Sequence, residues 1–186
     1  HKNDAGIYAK QARSWLGIPM QNFMGGYVGQ QRIYKDGKAH ARGSDMTQAH
    51  FIIGDIQNAK QIEYVEGYAT GASIYKTALS EDKGADIAVM VCFDKRGLTR
   101  IVKHYQQKWK AKRHIVRADN DHFKWLQGKG NAGMLAALEL QDQLGCQATY
   151  PKFDQVSIDE LPTDFNDLEM LGGPAITAKQ LWGNQV

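Results

Sequence analysis

The sequence predicts an α/β fold: a wound, mostly parallel four-stranded sheet with helices on both faces, preceded by a small β-rich subdomain. Three observations predict it. From about residue 60 onward, short apolar runs alternate with longer segments whose apolar residues recur at helical spacing. One run, "ADIAVMVCF" (85–93), is nearly continuous in apolar residues, as a strand covered on both faces requires. Before residue 60 the chain is rich in Gly, Gln and aromatic residues. There Asp36–Gly37 stands between two alternating runs, a hairpin signal.

The elements follow in order. A short helix is expected over 5–16. Strands are expected in "MQNFMGG" (20–26), "YVGQQRIYKDGKAHARG" (27–43) and "AHFIIG" (49–54), forming a small antiparallel sheet. "QIEYVEG" (61–67) reads as the first strand of the wound sheet, and "YATGASIYKTAL" (68–79) as the helix after it. The second strand, 85–93, is followed by "LTRIVKHYQQKWK" (98–110). That segment is amphipathic, with Leu98, Ile101, Val102, Tyr105 and Trp109 on one side. "RHIVRA" (113–118) is the third strand. "GNAGMLAALELQDQLG" (130–145) is a helix with Gly145 as its stop. "CQATYP" (146–151) is a short fourth strand, and "TDFNDLEMLG" (163–172) a short helix capped by Thr163 or Asp164. The divisions expected are 1–60 for the helix and β-rich flank, 61–172 for the wound domain, and 173–186 for a weakly patterned tail.

Bulk composition narrows the function classes. Hydrophobic residues at 42% build a real core, and 23% charged residues do not suggest a disordered chain. A net charge of +3 is too small to imply nucleic acid by itself. Cys92 and Cys146 form no CxxC pair, so no zinc ribbon and no disulfide scaffold is expected; buried thiols in a reducing cytoplasm are. No apolar run is long enough to span a membrane. The chain opens on His1 rather than Met, as expected of a segment cut from a longer protein.

In wound parallel sheets, ligands bind outside the carboxyl ends of the strands. That rule makes the acidic residues informative. Glu66 follows the first strand, Asp119 and Asp121 follow the third, and Asp164 and Asp167 follow the fourth. All five are expected on one rim. Residues two apart in an extended segment point to one side, so Asp119 and Asp121 present their carboxylates together. Like charges held close call for a proton or a cation. Hard oxygen donors suit Mg²⁺ or Mn²⁺, which keeps open positions for phosphate oxygens. Each residue alone also has a structural reading: Asp-Asn-Asp as a turn, Asp164 as a helix cap, Asp167 as a solvated helix residue, Glu66 as a satisfied strand end.

Three stretches carry a resemblance: "VEGYATG" (65–71), "VRADND" (116–121) and "PTDFNDL" (162–168). In that order and spacing they resemble the TOPRIM (topoisomerase–primase) domain, in the branch found in plasmid, phage and conjugative-element DNA primases. "VCFDKRGL" (91–98) matches the phrase opening that branch's second helix, and 29–54 resembles the β-rich region preceding its TOPRIM domain. The likeness covers about residues 18–172. It implies metal-dependent nucleotidyl transfer in DNA primer synthesis, with Glu66 as general acid–base or metal ligand. Asp119 and Asp121 are then metal ligands, with Asp164 and Asp167 supporting the metal or the incoming triphosphate. Chromosomal primases carry their acidic pair after the second strand, where this chain has only Asp94; the plasmid-type branch places it after the third, as here. Asp94 is therefore expected chiefly as a helix N-cap.

The resemblance also implies partners: a single-stranded DNA template, nucleoside triphosphates, and further helicase or relaxase domains of a longer bacterial, cytoplasmic protein, with no membrane. A nuclease cutting phosphodiesters and a non-catalytic DNA- or partner-binding module are the alternatives within the same likeness. For nucleic acid the candidates are Arg32, Lys35, Lys38 and Arg42 in the hairpin, mixed with Tyr34 and His40, which read equally as a solvated hairpin. Lys124 and Lys129 lie in a glycine-rich stretch past the acidic pair, suited to a triphosphate, although GxxxxGK[ST] is absent. The basic run 103–114 reads as a solvated helix face. His122 is expected as a turn residue.

Overall fold

Every residue of Gln61–Val65 (β5) and of Ile87–Val91 (β6) is buried, so both strands lie inside a sheet covered on its two faces. The computed structural model describes residues 14–128, 130–157, 159 and 161–183. β5 runs parallel to β6 on one side and to Arg113–Arg117 (β7) on the other. β7 runs parallel to Gln147–Thr149 (β8). A fifth strand, Phe51–Ile53 (β4), pairs antiparallel with β6, Phe51 opposite Val91, giving the order β4-β6-β5-β7-β8. Leu16–Gln21 (β1), Tyr27–Tyr34 (β2) and Gly37–His40 (β3) form a separate antiparallel sheet. The chain is thus mixed α/β, with a mostly parallel five-stranded sheet and a small antiparallel one.

Helices Tyr68–Ser80 (α1) and Phe165–Trp182 (α5) cover one face of the large sheet, where Ile74, Val65, Val89, Phe165 and Leu181 share one core. Lys95–Lys108 (α2) and Ala132–Leu144 (α4) cover the other, around Tyr64, Met90, Ile101, Val116 and Leu140. Gly71 lets α1 settle onto the sheet: a Cβ there meets Val65, Val89 and Val91 at 3.1–3.2 Å. Beneath the site, Glu63 on β5 and Arg117 on β7 form a buried ion pair. Arg117 also donates to Thr149 Oγ1 (2.8 Å) and to the Leu181 carbonyl (3.2 Å), so one guanidinium ties two further elements to β5.

The structure departs from the sequence reading at four places. The expected opening helix, 5–16, lies outside the described residues except for its last three, and Leu16 begins β1. The "FII" run joins the large sheet rather than the small one, which makes five strands where four were expected. A single antiparallel bridge, Gln21 to His50, holds it to the small sheet before the chain crosses over. The helix expected to end at Gly172 continues to Trp182. Gly173 (φ 77°) breaks it and Pro174 restarts it, and Thr177, Ala178 and Leu181 are buried, so residues 173–182 are packed rather than a loose tail. Finally, part of the glycine-rich stretch after Asp121 is helical: His122–Leu126 (α3).

Candidate active site

The carboxyl ends of β5, β6 and β7 stop level with one another, Val65 opposite Val91 and Tyr64 opposite Val116. Glu66, Asp94 and Asp119 follow those ends directly, which sets all three on one rim. Asp94 caps α2, its carboxylate accepting from the Gly97 amide at 2.6 Å. Gly97 is required there, because a Cβ stands 2.4 Å from the Cys92 carbonyl.

The turn after β7 is held from behind. Asn120 turns away from the rim: its side chain donates to the Pro151 carbonyl (2.9 Å) and its amide to the Thr163 carbonyl (2.6 Å). Asn131, 4% exposed, caps α4, donates to Asn120 Oδ1 (2.7 Å) and accepts the Asp121 amide (3.1 Å). Gly133 lets the first turn of α4 approach the Asp119 carbonyl, which lies 2.8 Å from where a Cβ sits. With Asn120 committed inward, Asp119 and Asp121 are left to the rim, as their two-residue spacing requires.

Asp164 reaches the same rim from α5. It is the α5 N-cap, its Oδ1 accepting the Asp167 amide (2.9 Å) and its Oδ2 the Thr70 hydroxyl (2.7 Å). Asp167 turns back into the cap: its Oδ2 accepts from the Thr163 amide and hydroxyl (2.7 and 3.2 Å). Asp164 is therefore a cap that also faces the rim, and Asp167 closes the capping box.

The electrostatics record this convergence. Burial pushes the Asp119 carboxyl up to about 7, and the Asp164, Glu66 and Asp121 carboxylates push it further in the same direction, with Lys38 opposing. Its Oδ1 is buried without a hydrogen-bond partner. Burial also raises Glu66, against Lys95 and Lys38, with Asp94 and Asp121 adding to the rise. Burial likewise raises Asp164, against its hydrogen bonds from Thr70 and the Asp167 amide. These are carboxyl groups held where losing a proton is costly unless a cation replaces it.

Three lysines face the cluster. Lys124, on α3, pairs with Asp121 at 2.7 Å. Lys38, on β3, acts on both Glu66 and Asp119, which fits the contact of its neighbour His40 with the Phe93 ring at the end of β6. Lys95 opens α2. Of the other basic residues proposed from sequence, Arg32 lies over the Trp15 ring, 5.0 Å from its centroid. Lys35 and Arg42 are exposed in the hairpin region, and Lys129 lies outside the described residues. His122 begins α3. Sequence reading missed Lys95, Thr70 and Asn131. Lys95 stands beside Asp94 in "FDKRG". Asn131, just before an apolar helical stretch, carries an N-cap signal.

Mg²⁺ or Mn²⁺ fits the donor chemistry of this rim: hard carboxylate oxygens, one of them buried and unpartnered. Among the described residues, no three His, Cys, Asp or Glu side chains stand close enough to cage an ion by themselves. A hexacoordinate ion held by one or two carboxylates, with water and phosphate completing its shell, needs no such cage. Helices α1 and α4 start near this rim with no acidic residue at the N-cap or in the first turn, which favours phosphate there. No described helix is long and apolar enough to cross a membrane. Compared with protein-family models and with curated proteins, the chain matches none.

Proposed function

We propose that this chain is a TOPRIM-type domain that catalyses metal-dependent nucleotidyl transfer in DNA primer synthesis, within a mobile-element primase or a relaxase–primase fusion. One observation carries the reading: Asp119 is partly buried with its Oδ1 enclosed and unpartnered, and the Glu66, Asp121 and Asp164 carboxylates act on it at the carboxyl rim. The ordered likeness of 65–71, 116–121 and 162–168 to TOPRIM supports it.

Asp119 and Asp121 would hold Mg²⁺ or Mn²⁺, with water and phosphate completing its shell. When bound, the ion draws charge from the phosphate oxygens of a nucleoside triphosphate. Lys38, Lys95 and Lys124 bind that triphosphate, Lys124 after leaving Asp121. The first turn of α1, which no side chain caps, adds amide donors to its phosphates. Glu66, whose proton affinity is raised, accepts the proton of the primer 3′-hydroxyl. The resulting oxygen forms a bond to the α-phosphorus, the bond to the bridging oxygen breaks, and pyrophosphate leaves. Thr70 and the α5 cap hold Asp164 at the rim, where its carboxylate adds to the burial that raises the Asp119 carboxyl.

The test is incubation of the protein with single-stranded DNA, labelled nucleotides and Mg²⁺ or Mn²⁺. Elongated labelled products are expected, and they disappear in the Asp119→Asn/Asp121→Asn double variant. Shortened DNA makes the same rim a nuclease centre instead. Elongation that survives the double variant removes the site.

A further inference from the structure

Two depressions open beside the acidic turn, on the side away from the hairpin. The first, about 350 Å³, is lined by Asn120, His122, Phe123, Leu126 and the segment 152–154. The second, about 390 Å³, is lined by β8 residues, Tyr150, the same Lys152 and Asp154, and Lys179 with Gln180 from α5. Lys152 and Asp154 line both, so the two depressions adjoin along that segment. The first reaches Asn120, which follows Asp119 in the chain and has its side chain turned behind the rim, and the second lies at the outer edge of the sheet, where β8 pairs with β7.

The wall of this groove is built. The Pro151 carbonyl accepts from Asn120 Nδ2 at 2.9 Å. One residue on, Gln180 clamps the Lys152 peptide from both sides: Oε1 accepts its amide (2.8 Å) and Nε2 donates to its carbonyl (2.7 Å). Phe153, 8% exposed, anchors the segment in the core. Tyr150 (37% exposed) and the Lys152 side chain are thereby presented outward on a fixed backbone, with Lys179 across the groove and Phe123 half-buried near the rim.

Aromatic faces alternating with cations, along a groove that opens beside a phosphoryl-transfer rim, are what a single nucleic acid strand needs: rings for bases, ammonium groups for phosphates. Among the described residues, Asp154 is the one carboxylate lining the two depressions, against two lysines. We propose that single-stranded DNA leaves the acidic rim along this β8–α5 groove, stacking bases on Phe123 and Tyr150 and placing phosphates on Lys152 and Lys179. The proposal rests on the reading of the rim as a nucleotidyl-transfer site. It places a strand contact on the side of the rim opposite the β2–β3 hairpin, whose basic residues the sequence left open between nucleic acid and solvent.

The test is fluorescence anisotropy with a labelled oligothymidylate in EDTA, where no metal-dependent step occurs. The wild-type chain binds. Lys152→Glu/Lys179→Glu weakens binding about tenfold or more and lowers the salt slope by about 1.4, the value for two phosphate contacts on a single strand. Tyr150→Ala weakens it about fivefold or more, and an abasic oligomer of equal length binds correspondingly weaker. Lys35→Glu/Arg42→Glu stays within about twofold in the same assay. Unchanged thermal unfolding of these surface variants excludes misfolding as the cause. The groove is refuted by absence of wild-type binding, by groove variants that bind as wild type does, or by hairpin variants that carry the larger loss. Because the assay is metal-free, its failure leaves the acidic rim standing, and failure of the Asp119/Asp121 test leaves the groove standing.

Discussion

Glu63 and Asp119 lie on neighbouring strands or just past them, the first fully buried and the second partly so, and the chain treats them differently. Glu63 is 0% exposed and meets Arg117 through two donors, Nε and Nη2, with Gln61 Nε2 on the same carboxylate. Asp119 stands beyond the strand end with a buried oxygen that accepts nothing, and its nearest charged company is more carboxylate. A buried acid with all its partners is architecture. An acid whose enclosed oxygen has no partner, beside other carboxylates, is held toward its protonated form.

Removing the partner from the first acid should give the largest effect on stability. Arg117→Met leaves Glu63 buried and unpaired and is expected to cost about 3–5 kcal/mol, read from urea unfolding. Adding Glu63→Leu should recover most of that loss, because replacing a whole buried pair by apolar groups is often nearly neutral. A double variant as unstable as the single would mean that Thr149 and the Leu181 carbonyl, rather than the charge pair, set the cost.

The second acid should behave in the opposite way. Asp119→Asn is expected to leave the fold as stable as wild type or more so. It should reduce nucleotide incorporation by more than the roughly 10–100-fold typical of losing an outer-sphere partner. A variant that unfolds but keeps its specific activity per folded molecule reverses the contrast between the two acids.

The same contrast predicts a pH dependence. The folded Asp119 carboxyl titrates near 7, against an ordinary value of 3.8, so between those values the folded chain holds a proton that the unfolded chain has released. Stability therefore falls as pH rises through that window, by up to about 1.4 kcal/mol per pH unit for one group, and levels off above it. Glu66 and Asp164, raised in the same direction, add to the slope. Unfolding measured in metal-free buffer at about pH 5 and about pH 8 should show a smaller loss in Asp119→Asn than in wild type. At the higher pH, Mg²⁺ at 100 times its Kd should restore about 2.7 kcal/mol to wild type and not to the variant. Equal pH slopes in the two proteins place the proton elsewhere.

Much of this contrast is legible in the sequence. Strand–helix alternation gives the parallel core, and the rule about strand ends sends Glu66, Asp119, Asp121 and Asp164 to one rim. What is not legible depends on partners distant in the chain. Arg117, in "IVRAD", reads as a charge near a strand end, and nothing local tells that Glu63, 54 residues earlier, receives it. The "FII" run is apolar enough for either sheet; its place is decided by the free edge of β6. Gly172–Gly173–Pro174 reads as the end of a helix, yet a buried surface for Ala178 and Leu181 draws the chain back into one. Asp167 reads as a possible ligand because its residue type is right, and only the backbone of Thr163 shows that its carboxylate is engaged in a cap.

The smallest effect expected concerns the scaffold behind the second acid. Asn131 caps α4 and also holds Asn120 and the Asp121 amide, so it links helix stability to carboxylate placement. Asn131→Ala should cost about 1 kcal/mol as a lost cap. Asn131→Asp keeps an oxygen for the Met134 and Asp121 amides but loses the donor to Asn120 Oδ1. If Asn131 acts only on the helix, the Asp variant recovers both stability and activity. If it also positions the rim, the Asp variant recovers stability alone while nucleotide incorporation and Mg²⁺ affinity stay reduced, and that split is the result expected, because Asn120 then loses one of the three contacts that turn it away from Asp119 and Asp121 and keeps those to Pro151 and Thr163.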